Sequence, residues 1–192
     1  MGSQAGKIIV IVAPSGTGKT TLISRVKAVF PQIMESVSHT TRYKRSGEVD
    51  GKQYFFISKD EFENKIKNDD FLEWAVVHQN YYGTSKQFLF NQIHNGNFVL
   101  CDIDVQGADN VKKYFKDQAQ VIFIAPPSLA VLRQRLEGRK TESQDVIEIR
   151  LSNAEKEIQR KDDYDYLVIN DDLDEAFLKL KEIIHKIMGE KN

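Results

Sequence analysis

The sequence predicts an α/β fold, a parallel sheet flanked by helices, interrupted by a small insertion of short strands and helices. Three observations predict it. An apolar run, Ile8-Ile9-Val10-Ile11-Val12, passes through a glycine-rich turn into a helical stretch, the strand–turn–helix unit of parallel sheets. The later runs Phe98-Val99-Leu100-Cys101-Asp102 and Val121-Ile122-Phe123-Ile124-Ala125 have the near-continuous hydrophobicity of strands covered on both faces. Between residues 33 and 96 the texture changes to short alternating or aromatic segments separated by Gly47, Gly51 and Gly83. That pattern implies an insertion, not another β-α-β step.

Each element has its own signal. The first strand feeds a helix in which Leu22, Val26 and Val29 recur about once per turn, and which stops before Pro31. Within the insertion, short antiparallel strands are expected at residues 34–38, 54–58 and 72–78. Ser58 and Glu61 form a capping box for a helix whose apolar side carries Phe62 and Ile66. Residues 84–94 read as another helix, with Phe88 or Leu89 inward and an end near Gly96.

The core then resumes. A helix over about residues 129–136 sets Leu132 and Leu136 on one face and runs into an arginine-rich turn, Arg135-Leu136-Glu137-Gly138-Arg139-Lys140. A long helix over about 145–161 and a short strand, Tyr166-Leu167-Val168-Ile169, follow. The tail helix, 172–188, places Leu173, Phe177, Leu180, Ile184, Ile187 and Met188 together. With no internal repeat and no low-complexity linker, residues 1–192 read as a single domain. Its core covers about 7–36, 95–127 and 162–192, its insert about 37–94, and a third region about 128–161.

The 192 residues are 41% hydrophobic and 29% charged, a soluble globular composition rather than a disordered one. A formal net charge of -1 provides no global basic field for nucleic acid or anionic lipid, so any anion site has to be local. The single cysteine, Cys101, excludes an internal disulfide and a Cys-rich zinc site, and a cytoplasmic protein is expected. No apolar run approaches the ~20 residues that span a bilayer, and the first six residues lack the apolar core of a leader. Membrane, nucleic-acid and obligatory protein partners are therefore not expected.

The chemistry begins at Ala13-Pro14-Ser15-Gly16-Thr17-Gly18-Lys19-Thr20-Thr21. Gly16 and Gly18 let backbone N–H groups turn inward as an anion nest at a helix N-terminus. Lys19 adds a cation for outer phosphates, and the Thr20 hydroxyl suits magnesium. Asp102 ends a buried strand, where phosphate-loop enzymes keep a magnesium-holding acid. If extended geometry continues through Asp104, both carboxylates share a side, which a cation or donor between them would explain. An ordinary polar loop is the alternative.

Arg42 and Arg45, beside hydroxyls, suit bidentate recognition of a phosphate; a solvated basic loop is the competing reading. Arg133, Arg135, Arg139, Lys140 and Arg150 form a second basic group able to close over transferring phosphate, with helical Arg–Glu pairing as the alternative for Arg133 and Arg150. Glu73 is a lone acid in an apolar segment, either a buried acceptor or a surface strand residue. His39, His78, His94 and His185 show no metal-ligand spacing.

The ordered series of motifs resembles the guanylate kinase family over nearly the whole chain, from residue 7 to about 181. It comprises the loop 13–20; Ser36-Val37-Ser38-His39-Thr40-Thr41-Arg42 with Arg45; Gly47-Glu48-Val49-Asp50-Gly51-Lys52-Gln53-Tyr54; Phe71-Leu72-Glu73-Trp74; and Tyr81-Tyr82-Gly83-Thr84. Asp102-Ile103-Asp104-Val105-Gln106-Gly107, Arg135-Leu136-Glu137-Gly138-Arg139 and Val168-Ile169-Asn170-Asp171-Asp172 complete it. The resemblance implies a P-loop parallel sheet flanked by helices, with an inserted small GMP-binding subdomain and a helical lid over about 128–161.

It also implies a magnesium-dependent nucleoside monophosphate kinase of purine nucleotide metabolism, moving the γ-phosphoryl group of ATP to GMP or dGMP. Arg42, Arg45, Tyr54 and Tyr82 would hold the GMP phosphate, and Ser38, Glu73, Thr84 and Asp104 would surround the base. The loop from Ala13 to Thr21 would hold ATP, with Asn170 near adenine. Thr20 and Asp102 would organise magnesium, partly through water. Lys19, Arg42, Arg135, Arg139 and Arg150 would carry catalysis, the last three from the lid. Three positions depart from the family pattern: Ala13 for glycine, Thr84 for serine, and Lys140 for a glycine in the lid turn. A kinase for another monophosphate and a non-catalytic scaffold domain are the other classes; Glu73 with Asp104 argues against the first, Lys19 with Asp102 against the second.

Overall fold

The computed structural model describes residues 6–77, 79–138 and 143–189. Its centre is β1 (Ile8–Val12), all five residues of which are buried. Ile9 and Ile11 face one hydrophobic cluster, and Ile8, Val10 and Val12 face another. Burying both faces is what an unbroken apolar strand requires, at roughly 1.5–3 kcal/mol per large aliphatic side chain. The chain leaves β1 through the glycine turn into α1 (Lys19–Val29), which buries Leu22, Ile23 and Val26. Val29 is exposed and Phe30, one residue on, is buried in its stead. The inward stripe therefore follows Leu22, Val26 and Phe30, not Val29.

β2 (Met34–Glu35) joins the central sheet and pairs parallel with the strand Val99–Asp102. These two residues fall within the expected core bounds of about 7–36 and extend the central sheet, exposed at its edge; what is corrected is the reading of 34–38 as one of the insertion's antiparallel strands. The insertion's own sheet begins at β3 (His39–Thr40) and β4 (Phe55–Phe56), which pair parallel, another departure from an all-antiparallel insert. α2 (Lys59–Lys67) starts where the capping signal placed it, Ser58 Oγ accepting the Glu61 N–H at 3.1 Å. β5 (Phe71–Val77) and β6 (Asn80–Ser85) form the antiparallel pair that completes a four-stranded sheet. The expected helix over 84–94 gives up its first two residues to β6, and α3 (Lys86–His94) starts after Ser85, whose hydroxyl caps it. Stacked rings hold this subdomain together: Phe62 lies 4.4 Å from Phe71 and 5.1 Å from Tyr81.

The main sheet continues with β7 (Val99–Asp102), then α4 (Val105–Phe115), β8 (Ala119–Ala125), α5 (Leu129–Gly138), α6 (Gln144–Gln159), β9 (Tyr166–Ile169) and α7 (Leu173–Met188). Five strands lie in the order β2-β7-β1-β8-β9, all parallel. α4 is a helix that the hydrophobic pattern alone did not announce. Gly107 and two lysines break up its stripe, yet Gly107, Ala108, Val111 and Phe115 are buried. The fit at Gly107 is tight: a Cβ there would lie 3.2 Å from the Ile103 side chain, which would have to shift by a few tenths of an ångström. α5 and α6 share a small core of Leu132, Leu136, Ile147, Leu151 and Ala154, separate from the two clusters on the sheet. α1 and α7 cover one face of the sheet, α3 and α4 the other.

His39 is the least comfortable residue of the insert. It is stacked on Phe55 at 4.8 Å, meets Phe71 edge-on, and its buried Nδ1 has no hydrogen-bond partner among the described residues. Burial, with Lys65 nearby, lowers its pKa to about 4, against the weaker pull of Asp50 and Asp70. A histidine kept neutral in the fold contributes stability above its unfolded value of 6.5, and loses it as pH falls from there toward 4. Thermal melts should therefore fall over that window, and His39→Phe should flatten the fall. An unchanged acid dependence in that variant would assign the loss to other groups.

Candidate active site

The carboxyl ends of the central strands meet at the glycine loop. Gly16 and Gly18 adopt φ of 92° and 96°, the left-handed region where a Cβ is strained. Gly18 is the N-cap of α1 and supplies no side-chain acceptor, so the first-turn amides stay available to an anion. Thr17 is fully buried and folds its hydroxyl back onto the Pro14 carbonyl. A Cβ on Gly16 would meet the Leu136 side chain at 2.8 Å, so α5 packs directly on the loop. α6 reaches the same place: Arg150 Nη1 donates to Ser15 Oγ at 2.5 Å.

Parallel pairing of Ile11 with Asp102 brings the end of β7 beside this loop. Lys19 Nζ lies 2.5 Å from Asp102 Oδ1, with the two side chains 23% and 43% exposed. The strand stops there. Asp104 is the N-cap of α4 and its Oδ1 accepts the Gly107 N–H at 2.8 Å. Each carboxylate thus has its own donor, one an ammonium and one a helix amide. Thr20 and Thr21 lie in the first turn of α1, both exposed.

A cleft of about 440 Å³ separates this floor from the insert and is lined by Ser38, Tyr54, Thr84, Asp102 and Ile103 among others. On its insert side, Thr84 lines the cleft and Glu73, its cross-strand partner on β5, lies behind it. Thr84 Oγ1 donates to Glu73 Oε1 at 2.5 Å. Burial pushes the Glu73 carboxyl above its ordinary value, with Asp104 adding to the rise and the Thr84 hydroxyl opposing it. Further out, the Arg42 guanidinium lies 5.5 Å from both the Tyr54 and Phe56 ring centres. Tyr82 meets Tyr54 edge-on at 5.7 Å. Arg42 is also clamped by Glu48, Nη2 to Oε1 at 2.7 Å and Nη1 to Oε2 at 3.1 Å. Glu48 accepts the Arg45 N–H as well, at 2.7 Å, while the Arg45 side chain is exposed.

The second basic group divides. Arg135 donates to the backbone carbonyls of Asn170 and Asp171 at 2.9 and 3.1 Å. Arg133 pairs with Glu148 across α5 and α6 and lies 3.8 Å from Glu137, the surface pairing weighed for it above. Arg139 and Lys140 lie outside the described residues. Asn170 is 4% exposed and donates its side-chain amide to the Thr17 carbonyl at 2.6 Å.

Two acids had no role in the sequence reading. Glu48 was visible only as part of a motif, and an acid six residues beyond an arginine in a loop was the signal available for the clamp. Glu157, on α6, is desolvated and within electrostatic range of Lys19 and Asp104, a placement no local pattern reveals. Among the described residues, no group of three or more His, Cys, Asp or Glu is arranged to hold a metal by itself, and no helix is long and apolar enough to cross a membrane.

Comparison with known proteins agrees with this arrangement. A guanylate kinase of Maricaulis maris is 45% identical over 96% of this chain and 84% of its own length. That of Protochlamydia amoebophila is 46% identical over 94% of this chain and 91% of its own. The crystal structure of guanylate kinase from Anaplasma phagocytophilum superposes with a TM-score of 0.69, covering 100% of this chain and 90% of that one at 32% identity. Residues 5–187 match the family described as guanylate kinase, and the chain belongs to that family.

Proposed function

We propose that the protein transfers the γ-phosphoryl group of ATP to GMP, and also to dGMP, giving ADP and the nucleoside diphosphate, with magnesium, as the insert and lid close over the cleft. One observation carries the choice of acceptor: a desolvated carboxylate, Glu73, held by Thr84 on the wall facing the glycine loop. Guanine presents N1–H and an exocyclic NH₂ on one edge, and an ionised carboxylate accepts both. Adenine has a lone pair at N1 and would leave Glu73 facing another acceptor, the kind of mismatch that polar sites reject by ~10⁴ or more. Ser38, with Asp104 at the cap of α4, completes the base site. Every base and phosphate contact in this reading is independent of the ribose 2′-hydroxyl, which is why dGMP is included.

Arg42, Arg45, Tyr54 and Tyr82 take the acceptor phosphate. Arg42 is already oriented by Glu48 and by the rings beneath it, so little rotamer freedom is lost on binding. The loop amides and Lys19 take the donor phosphates, with Arg150 at Ser15 and the arginines Arg135 and Arg139 of the lid closing over them. An oxygen of the acceptor phosphate, already anionic, forms the new bond to the γ-phosphorus while the bond to the β,γ-bridging oxygen breaks and ADP leaves. No general base is required. The protein's part is to align the two phosphates, exclude water and stabilise spreading charge.

The residues present fit magnesium. That ion binds through one or two carboxylates together with substrate phosphates and water, not in an all-protein cage. The Thr20 hydroxyl and the partly exposed Asp102 carboxylate supply such oxygen ligands, some through water. When bound, magnesium neutralises charge on the donor phosphates.

ADP release measured with GMP, dGMP, AMP, dTMP and UMP offered separately should be fast for the first two alone; AMP used as well as GMP would refute the base assignment. Glu73→Ala should raise KM for GMP about 10- to 100-fold, the loss of hydrogen bonds to a charged group, with KM for ATP unchanged. The wild-type KM for GMP should also climb as pH drops through the raised Glu73 pKa, because only the carboxylate accepts both guanine donors. Lys19→Ala should instead lower kcat by about 10²–10³ and leave GMP binding intact.

A further inference from the structure

The loop's anion nest depends on carbonyls that point away from it, and one of these has an unusual partner. Asn170 follows β9, two strands from β1, yet its Nδ2 donates to the Thr17 carbonyl at 2.6 Å, and the residue is 4% exposed. The nitrogen is the atom that faces Thr17, because a carbonyl can only accept. The same nitrogen lies 2.6 Å from where a Cβ on Gly18 would stand, so Gly18 is constrained both by its φ of +96° and by this amide. The backbone of Asn170 is fixed at both ends: its N–H donates to Ala125 O at 2.8 Å, and its carbonyl accepts from Arg135 at 2.9 Å. The side chain is thus held on the central sheet and pressed against the underside of the loop.

We propose that Asn170 is a positioning residue for the donor phosphates. It pins the Thr17–Gly18 peptide so that the amides of the turn converge on the anion, and it acts through that peptide without touching the adenine. The mechanism is geometric. Anchoring one carbonyl by a buried hydrogen bond fixes the plane of the peptide that carries the Gly18 N–H. Glycine alone would leave that plane free to rotate. Arg135, docked on the Asn170 carbonyl, extends the same connection from α5 to the loop. This inference rests on the reading of the loop as the ATP site.

The test separates phosphate from base. Binding of ATP, and of inorganic tripolyphosphate, which has no base, is measured by calorimetry for the wild type, Asn170→Ala and Asn170→Asp, with magnesium in every arm. Both variants should lose about tenfold or more for both ligands, in equal proportion, since a buried carbonyl loses its donor. Asn170→Asp, which sets a carboxylate against that carbonyl, should lose at least as much. A loss confined to ATP would place Asn170 on the base and overturn the proposal, as would no loss in either variant.

GMP binding, at a site remote from Asn170, reports whether the variants fold. A reading that needs no variant comes from magnetic resonance of the wild type: the Asn170 side-chain amide signals should shift as far with tripolyphosphate as with ATP, and a shift with ATP alone would overturn the proposal. A wild type that binds neither ligand would instead refute the donor reading itself.

Discussion

The constraint on which the rest depends is the turn that follows β1. A strand buried on both faces must end in a loop that turns its amides toward solvent and restarts as a helix within a few residues. Gly16 and Gly18 allow it by occupying a region of φ that other residues enter only under strain. What surrounds the turn exists to keep it there. Leu136 fills the space that a side chain on Gly16 would need, the Asn170 amide fills that of Gly18, and Thr17 is turned inward onto Pro14. In the proposed function, donor binding and fold stability are consequently built from the same atoms. Substitution at either glycine would disturb both together.

Electrostatics follows the same economy. With a net charge of -1 the chain has no long-range field to collect anions, so its cations have to be concentrated and pre-aimed. Four of the cations are held by a protein partner: Lys19 by Asp102, Arg42 by Glu48, Arg150 by Ser15, and Arg135 by two backbone carbonyls. Partnering limits the rotamers a long side chain explores, and it tempers repulsion between cations gathered around one cleft. These contacts are partly exposed, so their worth is in orientation more than in stability.

How much of this the sequence revealed differs from residue to residue, for physical reasons. β1, β8 and α7 were legible because burial on both faces of a strand, or along one helix face, leaves a periodic record. The glycine loop was legible because its backbone geometry restricts residue choice. α4 was not, since Gly107 and neighbouring lysines dilute its stripe, and Asp104 reads equally well as the next residue of a strand and as a helix cap. β2 was read both within the core bounds and among the insertion's short strands, because two exposed residues contain no information about which edge they join. The partners of Asn170 and Glu157 depend on contacts between distant segments, and no local pattern encodes them. The Arg42–Glu48 clamp lies between these cases, spaced closely enough in the loop to be inferred but ambiguous with an ordinary solvated turn.

In the proposed acceptor site, discrimination comes from a residue that destabilises the free protein. Burying a carboxylate costs free energy unless its lone pairs are filled, and Thr84 satisfies Glu73 in part, by hydroxyl and backbone N–H, while Asp104 nearby adds repulsion. In the proposed function, a guanine edge arriving with two donors would relieve that cost, whereas an adenine edge would add to it. Selectivity between the bases would then arise largely from how unsatisfied Glu73 is beforehand. A wall with its carboxylate fully hydrogen-bonded in the free protein would be more stable and less selective. Thr84, through its hydroxyl and its backbone N–H, fixes the carboxylate's orientation, and a carboxylate has about four acceptor positions, so its capacity to accept is not exhausted.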